Sequence, residues 1–577
     1  MRPFGVARED VVCKEITKFR EEIDMSSHKI SPLGLLPHVA CMMFLFSHSV
    51  LAASGDNPSF VGTHFSGSGN CAECHNNLKD TTGKDISIIT AWKGSMMANS
   101  TRDPYWRAKV ASELKRAPQI TSVLNERCSR CHAPMANETA KRDGAAIEIL
   151  GAGFLNPQNK YFNHAMDGVS CTVCHQIEDD GHLGTPVGNS GHYTIATRAN
   201  SVARPIYGQY ADVLTDPMQH KVSFTPQLGA HTSTSEMCAT CHDLKTPFID
   251  SLGNVVSTPT TEHPEQMPYT EWLNSDYRTG GSKQQSCQGC HMPKVAGAVK
   301  IASKPGEVRT REGFAKHEMI GSNTTMLDIL DKNRTALGVL ATSTDLAADI
   351  ARTRDFLKTA ATIEVLSASV ASGVLEAQVR VTNKTGHKLP TAYPSRRAYI
   401  HFVVKNSAGQ VVFESGRLKT NGSIDGVAVD SDSTTYEPHY QTITAADQVQ
   451  VYEPIMADTD GNVTHSLLRG SRYLKDNRLT PSGFNKLRVP GDVAVIGDAA
   501  LDADFNNGAD TVTYRVPVGS ATGLTITAEF NYQTLSYGHV QDLLRDSSLP
   551  EVSAFKTMFD SRGILMENLA TATRKVN

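Results

Sequence analysis

The chain has 577 residues, enough for several domains with cores of their own. Its formal charge of −4 arises from 56 basic and 60 acidic residues spread along the sequence, which argues against a nucleic-acid face or a polybasic membrane patch as the working surface. No G-x-S-x-G, H-E-x-x-H or phosphate-cradling glycine loop occurs, so common hydrolase and nucleotide-enzyme machineries are also excluded.

Residues 1–53 read as an N-terminal extension and signal peptide. Leu33 to Ala53 contains the apolar run Cys41-Met-Met-Phe-Leu-Phe46 and ends in Val50-Leu-Ala-Ala53, the pattern of a secretory segment cleaved after Ala52 or Ala53. The run is interrupted by His38, Ser47 and His48 and is shorter than the roughly 20 apolar residues of a membrane span, so no transmembrane segment is expected in the mature chain. Residues 1–24 lack any apolar run, and Met25, followed by Lys29, is a candidate natural start.

Cleavage would remove Cys13 and Cys41 and leave ten cysteines. They fall into five copies of C-x-x-C-H: Cys71, Cys74 and His75; Cys128, Cys131 and His132; Cys171, Cys174 and His175; Cys238, Cys241 and His242; Cys287, Cys290 and His291. This is the attachment signature of c-type haem, in which two thiols add across the vinyl groups and the adjacent His takes the proximal face of the iron. Zinc sites built from C-x-x-C pairs would need an even number of pairs or further ligands, and no His after every second Cys. The expectation is five covalently bound haem c groups and no disulfides. The motifs lie in residues 54–342, a segment with little sustained helical or strand periodicity, so porphyrins are expected to form much of its core.

The sixth position of each iron decides between a closed electron carrier and an open, reactive site. Outside the motifs the mature chain has thirteen histidines, enough to close five irons. The candidate distal ligands are His164, His220, His231, His317 and His387, with Met97 as a candidate thioether ligand; His64, His182, His192 and His263 also lie in this segment. Two stretches echo one another as T-x-W-x-x-S: Thr90-Ala-Trp92-Lys-Gly-Ser95 after the first motif, and Thr270-Glu-Trp272-Leu-Asn-Ser275 before the fifth. Their tryptophans read as packing residues, set against a porphyrin face.

At these residues the chain resembles the multihaem c-type cytochromes related to the hydroxylamine oxidoreductase and pentahaem nitrite reductase lineage. In that family a W-x-x-S-x-H stretch supplies a distal His; here Met97 and Tyr277 occupy that place. A second likeness is Gly386-His387-Lys-Leu-Pro390-Thr391, a G-H-x-x-P-T segment of multihaem cytochromes with a β-domain, which implies that His387 faces a haem. The catalytic haem of pentahaem nitrite reductase is held by C-x-x-C-K, whereas all five motifs here end in His, so the likeness stops short of that activity.

Residues 343–361 read as a linker helix through Leu346, Ile350 and Leu357. Residues 362–545 read as an all-β, β-sandwich-like domain, on the alternation of Ala377–Val381, Tyr399–Val404, Thr511–Val516 and Leu524–Phe530. Residues 546–577 are expected to form a helical tail. The stretch Asp458-Thr-Asp-Gly-Asn462 lacks the full order of calcium ligands and reads as a turn. The fold class expected is therefore multidomain, a haem-packed α/irregular segment followed by a β-sandwich-like domain.

The function expected is electron transfer by an exported, periplasmic pentahaem cytochrome. The alternative is a multihaem oxidoreductase with one open haem acting on a small nitrogen or sulfur species, its pocket lined by Tyr277, Lys294 and His317. The expected partners are redox proteins, an electron donor and an acceptor, with stacking of copies of this chain as an alternative and no nucleic acid.

Overall fold

The structure, a computed structural model, describes residues 57–196 and 202–576. The secretory segment read from the sequence lies outside these residues. Among the described residues no helix is long and apolar enough to cross a membrane.

The first half of the chain is built from short helices joined by turns. Two of the longest are α1 (Pro104–Arg116) and α2 (Thr121–His132). Asp103 caps α1 by accepting from the backbone N–H groups of Tyr105 at 2.8 Å and Trp106 at 3.2 Å, with Pro104 set at the first helical position. Helix α3 (Ser343–Leu357) leads out of this region, as its periodicity predicts. It starts on a capping box in which Thr342 and Asp345 bond each other's backbone N–H groups.

Beyond it lie β1 (Ala361–Ala371), β2 (Val374–Asn383), β3 (Arg397–Lys405), β4 (Val411–Ser415), β5 (Thr442–Ile443), β6 (Val451–Tyr452), β7 (Ala509–Pro517), β8 (Leu524–Gln533) and β9 (Glu567–Val576). One sheet runs β5-β7-β2-β1; the other runs β4-β3-β8-β9, with β6 also pairing β3. The buried alternation of β2 (Leu375, Ala377, Val379, Val381) and β8 (Leu524, Ile526, Ala528, Phe530) feeds one apolar core shared by both sheets. Phe402 of β3 and Tyr514 of β7 stack at 3.8 Å across it.

The chain end differs from the expected helical tail. Helices α4 (Tyr537–Leu544) and α5 (Pro550–Asp560) are followed by β9, which pairs antiparallel with β8. The Thr-rich stretch Ala570-Thr-Ala-Thr573 suits a pleated surface better than a helix. Helices α4 and α5 also return to the first half: Val540, Leu543, Val552 and Phe555 share a core with Tyr105 of α1, Met326, Leu330 and Leu346 of α3. Residues 458–462 form the expected turn, closed by Asp458 Oδ1 accepting from the N–H groups of Asp460 and Asn462.

Candidate functional site

Each C-x-x-C-H motif lies on or ends a helical turn: Ser68–Ala72, α2, Cys171–Cys174, Ser235–His242 and Cys287–His291. Helical geometry puts residues three apart on one face, so both thiols of a motif point to the same side. In motifs 1 and 3 the His N–H closes that turn on the carbonyl of the first Cys, at 2.9 Å for His75 and 3.0 Å for His175. The ten cysteines are unpaired by disulfides. Burial pushes the Cys128 and Cys174 thiols up to about 12, aided in Cys128 by Glu265 and in Cys174 by Cys241.

Four of the five motif histidines have Nδ1 beside a backbone carbonyl: Ile301 for His75 at 2.8 Å, Ser100 for His132 at 3.4 Å, Tyr207 for His175 at 2.5 Å and Ile320 for His291 at 2.5 Å. With Nδ1–H donating, Nε2 keeps its lone pair for a metal, the arrangement that fixes ligating imidazoles elsewhere. Burial holds His75, His132, His175, His242 and His291 below the ordinary histidine value, so the rings are neutral at pH 7.

Two motif histidines face a second imidazole. The rings of His175 and His317 lie 6.2 Å apart, 25° from parallel, and those of His291 and His387 lie 6.4 Å apart, 13° from parallel. Two imidazoles on one metal, each bonded at about 2 Å, have ring centres roughly 6 Å apart. Both partners turn Nδ1 to a carbonyl, Ala315 for His317 at 3.1 Å and Lys388 for His387 at 2.8 Å, which leaves Nε2 free.

His387 is held by a buried polar network. The Glu271 carboxylate accepts from the Lys388 N–H at 3.0 Å and the Thr391 hydroxyl at 2.6 Å, and pairs with Arg478 at 3.0 Å. Asp476 pairs with the Lys388 ammonium and with Arg478, both at 2.7 Å. Asn383 donates to the His387 carbonyl at 2.8 Å. The ion pairs are buried, so each charge depends on its partners for compensation and the network favours one geometry.

The other candidates sit differently. The His164 ring lies 4.1 Å from that of Phe60, tilted by 33°, and has a buried Nδ1 without a partner. His231 gives its Nε2 to the Ile177 carbonyl at 2.9 Å. His220 is exposed and bonds back to Asp216 within its own helix. Met97 offers its carbonyl to Val169 at 3.0 Å. His263, not among the favoured ligands, is buried with both ring nitrogens unpartnered. Its neighbour Glu262 pairs at 2.8 Å with Arg127, the residue before Cys128. His132 itself is stacked on Trp106 at 4.7 Å.

The T-x-W-x-x-S echo is a repeated anchor. The Trp92 indole N–H donates to Val169 and that of Trp272 to Gln285, each at 2.9 Å, and both acceptors stand two residues before the first Cys of a motif. The carbonyls of Met97 and Tyr277 accept from the same two residues, Val169 at 3.0 Å and Gln285 at 2.9 Å. The motifs repeat this order. The turn carrying Cys71 packs against that of Cys171, and the helix carrying Cys238 against that of Cys287, so motifs 1 and 3 form one neighbouring pair and motifs 4 and 5 another.

Residues 70–176, spanning motifs 1 to 3, match the family model described as Cytochrome c554 and c-prime. This segment is that of a multihaem c-type cytochrome. The residues fit covalently bound haem c, with paired thiols on one face and neutral imidazoles presenting a bare nitrogen. A penta-heme cytochrome c552 from Thermochromatium tepidum is similar at 17% identity, over 88% of this chain and 98% of that chain, with a TM-score of 0.48. No curated protein matches the chain.

Proposed function

We propose that this chain is an exported, periplasmic pentahaem c-type cytochrome, related to the hydroxylamine oxidoreductase and pentahaem nitrite reductase lineage, which carries electrons between a donor and an acceptor protein. The observation that carries this reading is the pair of facing imidazoles at 6.2 Å and 6.4 Å, each with one ring in a C-x-x-C-H motif. Haem c supplies the one-electron chemistry when bound. The motif cysteines attach it, and His75, His132, His175, His242 and His291 take the proximal faces.

His317 closes the motif-3 iron, His387 the motif-5 iron, and His263 is the ligand proposed for motif 2. The neighbouring of motif 1 with motif 3 and of motif 4 with motif 5 supports transfer within these two pairs. The two sheets form a β-sandwich-like domain whose role is to hold the His387 loop against motif 5. EPR of the oxidised protein tests the carrier reading, with every iron low-spin and unchanged by nitrite, hydroxylamine or sulfite.

A second reading, an oxidoreductase open at motif 2, is favoured because His132, unlike His175 and His291, has Trp106 stacked on its ring and no facing imidazole among the described residues. One high-spin haem that shifts with those species would establish it.

A further inference from the structure

The sequence Asp502-Ala-Asp504-Phe-Asn506-Asn-Gly508-Ala-Asp510 has carboxylates at its first, third and ninth places, with Asn at the fifth and Gly at the seventh. Calcium loops use a similar spacing, with the Gly one place earlier, to turn alternate side chains toward one cation. In the fold Asp502 and Asp510 meet His439 from a distant loop; all three are buried, with their ligand atoms within 4.8 Å of one another. Asp504, whose backbone N–H donates to Asp502 Oδ1 at 3.1 Å, is exposed, so the cluster opens to solvent on that side.

Asp510 points to a missing partner. Its Oδ2 accepts from the Tyr452 hydroxyl at 2.6 Å and from Gln450 at 3.2 Å. Its Oδ1 is buried without a hydrogen-bond partner, 3.9 Å from His439 Nε2. The nearby ammonium of Lys486 donates to the carbonyls of Ala499 and Asp502. Three carboxylates against one ammonium leave negative charge in a largely enclosed space, which is costly without a counter-ion.

The hydrogen bonds also select the kind of ion. His439 Nδ1 accepts from Gln450 at 2.8 Å and Asn477 at 3.1 Å. Those amides cannot be turned over, because Gln450 Oε1 accepts the Tyr440 N–H at 2.8 Å and Asn477 Oδ1 accepts the Glu453 N–H at 2.9 Å. The histidine proton is therefore on Nε2, which donates to Asp502 at 3.1 Å. A protonated nitrogen cannot ligate, so the donors are oxygens alone, the preference of a hard cation over zinc.

We propose that Asp502, Asp504 and Asp510 bind one calcium ion, with His439 as a positioning residue that orients Asp502. The site is independent of the haem reading.

The test is equilibrium dialysis of the EGTA-washed holoprotein against radioactive calcium up to roughly 1 mM, the range of weak calcium modules. One calcium per chain is expected. Asp504→Asn, an exposed change that leaves the haem spectrum intact, should weaken binding about tenfold, as expected when one carboxylate ligand loses its charge. Asp510→Asn should abolish it. No retained calcium, equal retention by both variants, or displacement by equimolar zinc would each overturn the proposal.

Discussion

A β-carbon added at Gly386 would lie 3.1 Å from Tyr277 Cβ and 3.2 Å from Trp272 Cδ1. Carbon atoms pack comfortably at about 3.5–4.0 Å, so Gly386→Ala must open this contact by about half an ångström. Trp272 is tied to Gln285 at 2.9 Å, and the Tyr277 hydroxyl to the Lys384 carbonyl at 2.8 Å. The displacement therefore falls on the loop that carries His387. Metal–ligand distances hold to about 0.2 Å, so such a shift is enough to break or lengthen the sixth bond at motif 5. The expected result in EPR of the oxidised protein is a high-spin signal from one haem in five, matched by His387→Ala, with the other four low-spin. A Gly386→Ala spectrum identical to wild type, or a His387→Ala protein with every iron low-spin, would refute the reasoning.

His317→Ala should open the motif-3 haem in the same assay, and combined with His387→Ala it should give two high-spin haems. Asp476→Ala strands the buried Lys388 and Arg478 charges and should cost about 3–5 kcal/mol in chemical denaturation. Stability should also fall in acid through Asp546, which joins α1 to the turn after α4. Burial works against its charge, but Lys115, Ser112 and Arg116 outweigh that and bring the carboxyl from 3.8 down to about 2. A lowered carboxyl stabilises the fold above its ordinary value, and that contribution is lost as pH falls through about 2; acid unfolding of Asp546→Asn should lack this step.

The parts of the site that could be read from sequence are local. A C-x-x-C-H motif needs only a helical turn to align its thiols, and T-x-W-x-x-S needs only a helix and the turn after it. In the sequence Trp92 and Trp272 read as packing residues, and both are buried in apolar clusters; what it does not show is that their indoles also bond the Val169 and Gln285 carbonyls, which tertiary structure chooses. The facing imidazoles have the same character. His317 and His387 come to His175 and His291 across long stretches of chain, and proximity in sequence is no guide, as His231 shows by turning its Nε2 to Ile177. His263 carried no motif; its signal is two bare nitrogens in a buried ring. Alternation located β2, β3, β7 and β8, whereas β9 was hidden in a short Thr-rich stretch next to a helix. The Asp502 loop passes without notice in the sequence, because Asp510 gains its meaning only from His439, Gln450 and Tyr452, which reach it from distant stretches of chain.

The count of covalent haems is the most direct test of the whole account. Intact mass of the purified protein under denaturing conditions should exceed that of the processed polypeptide by five haem groups. Replacing Cys287 and Cys290 with Ser should reduce the excess to four. A wild-type mass with fewer than five would contradict the claim that every C-x-x-C-H motif carries a haem.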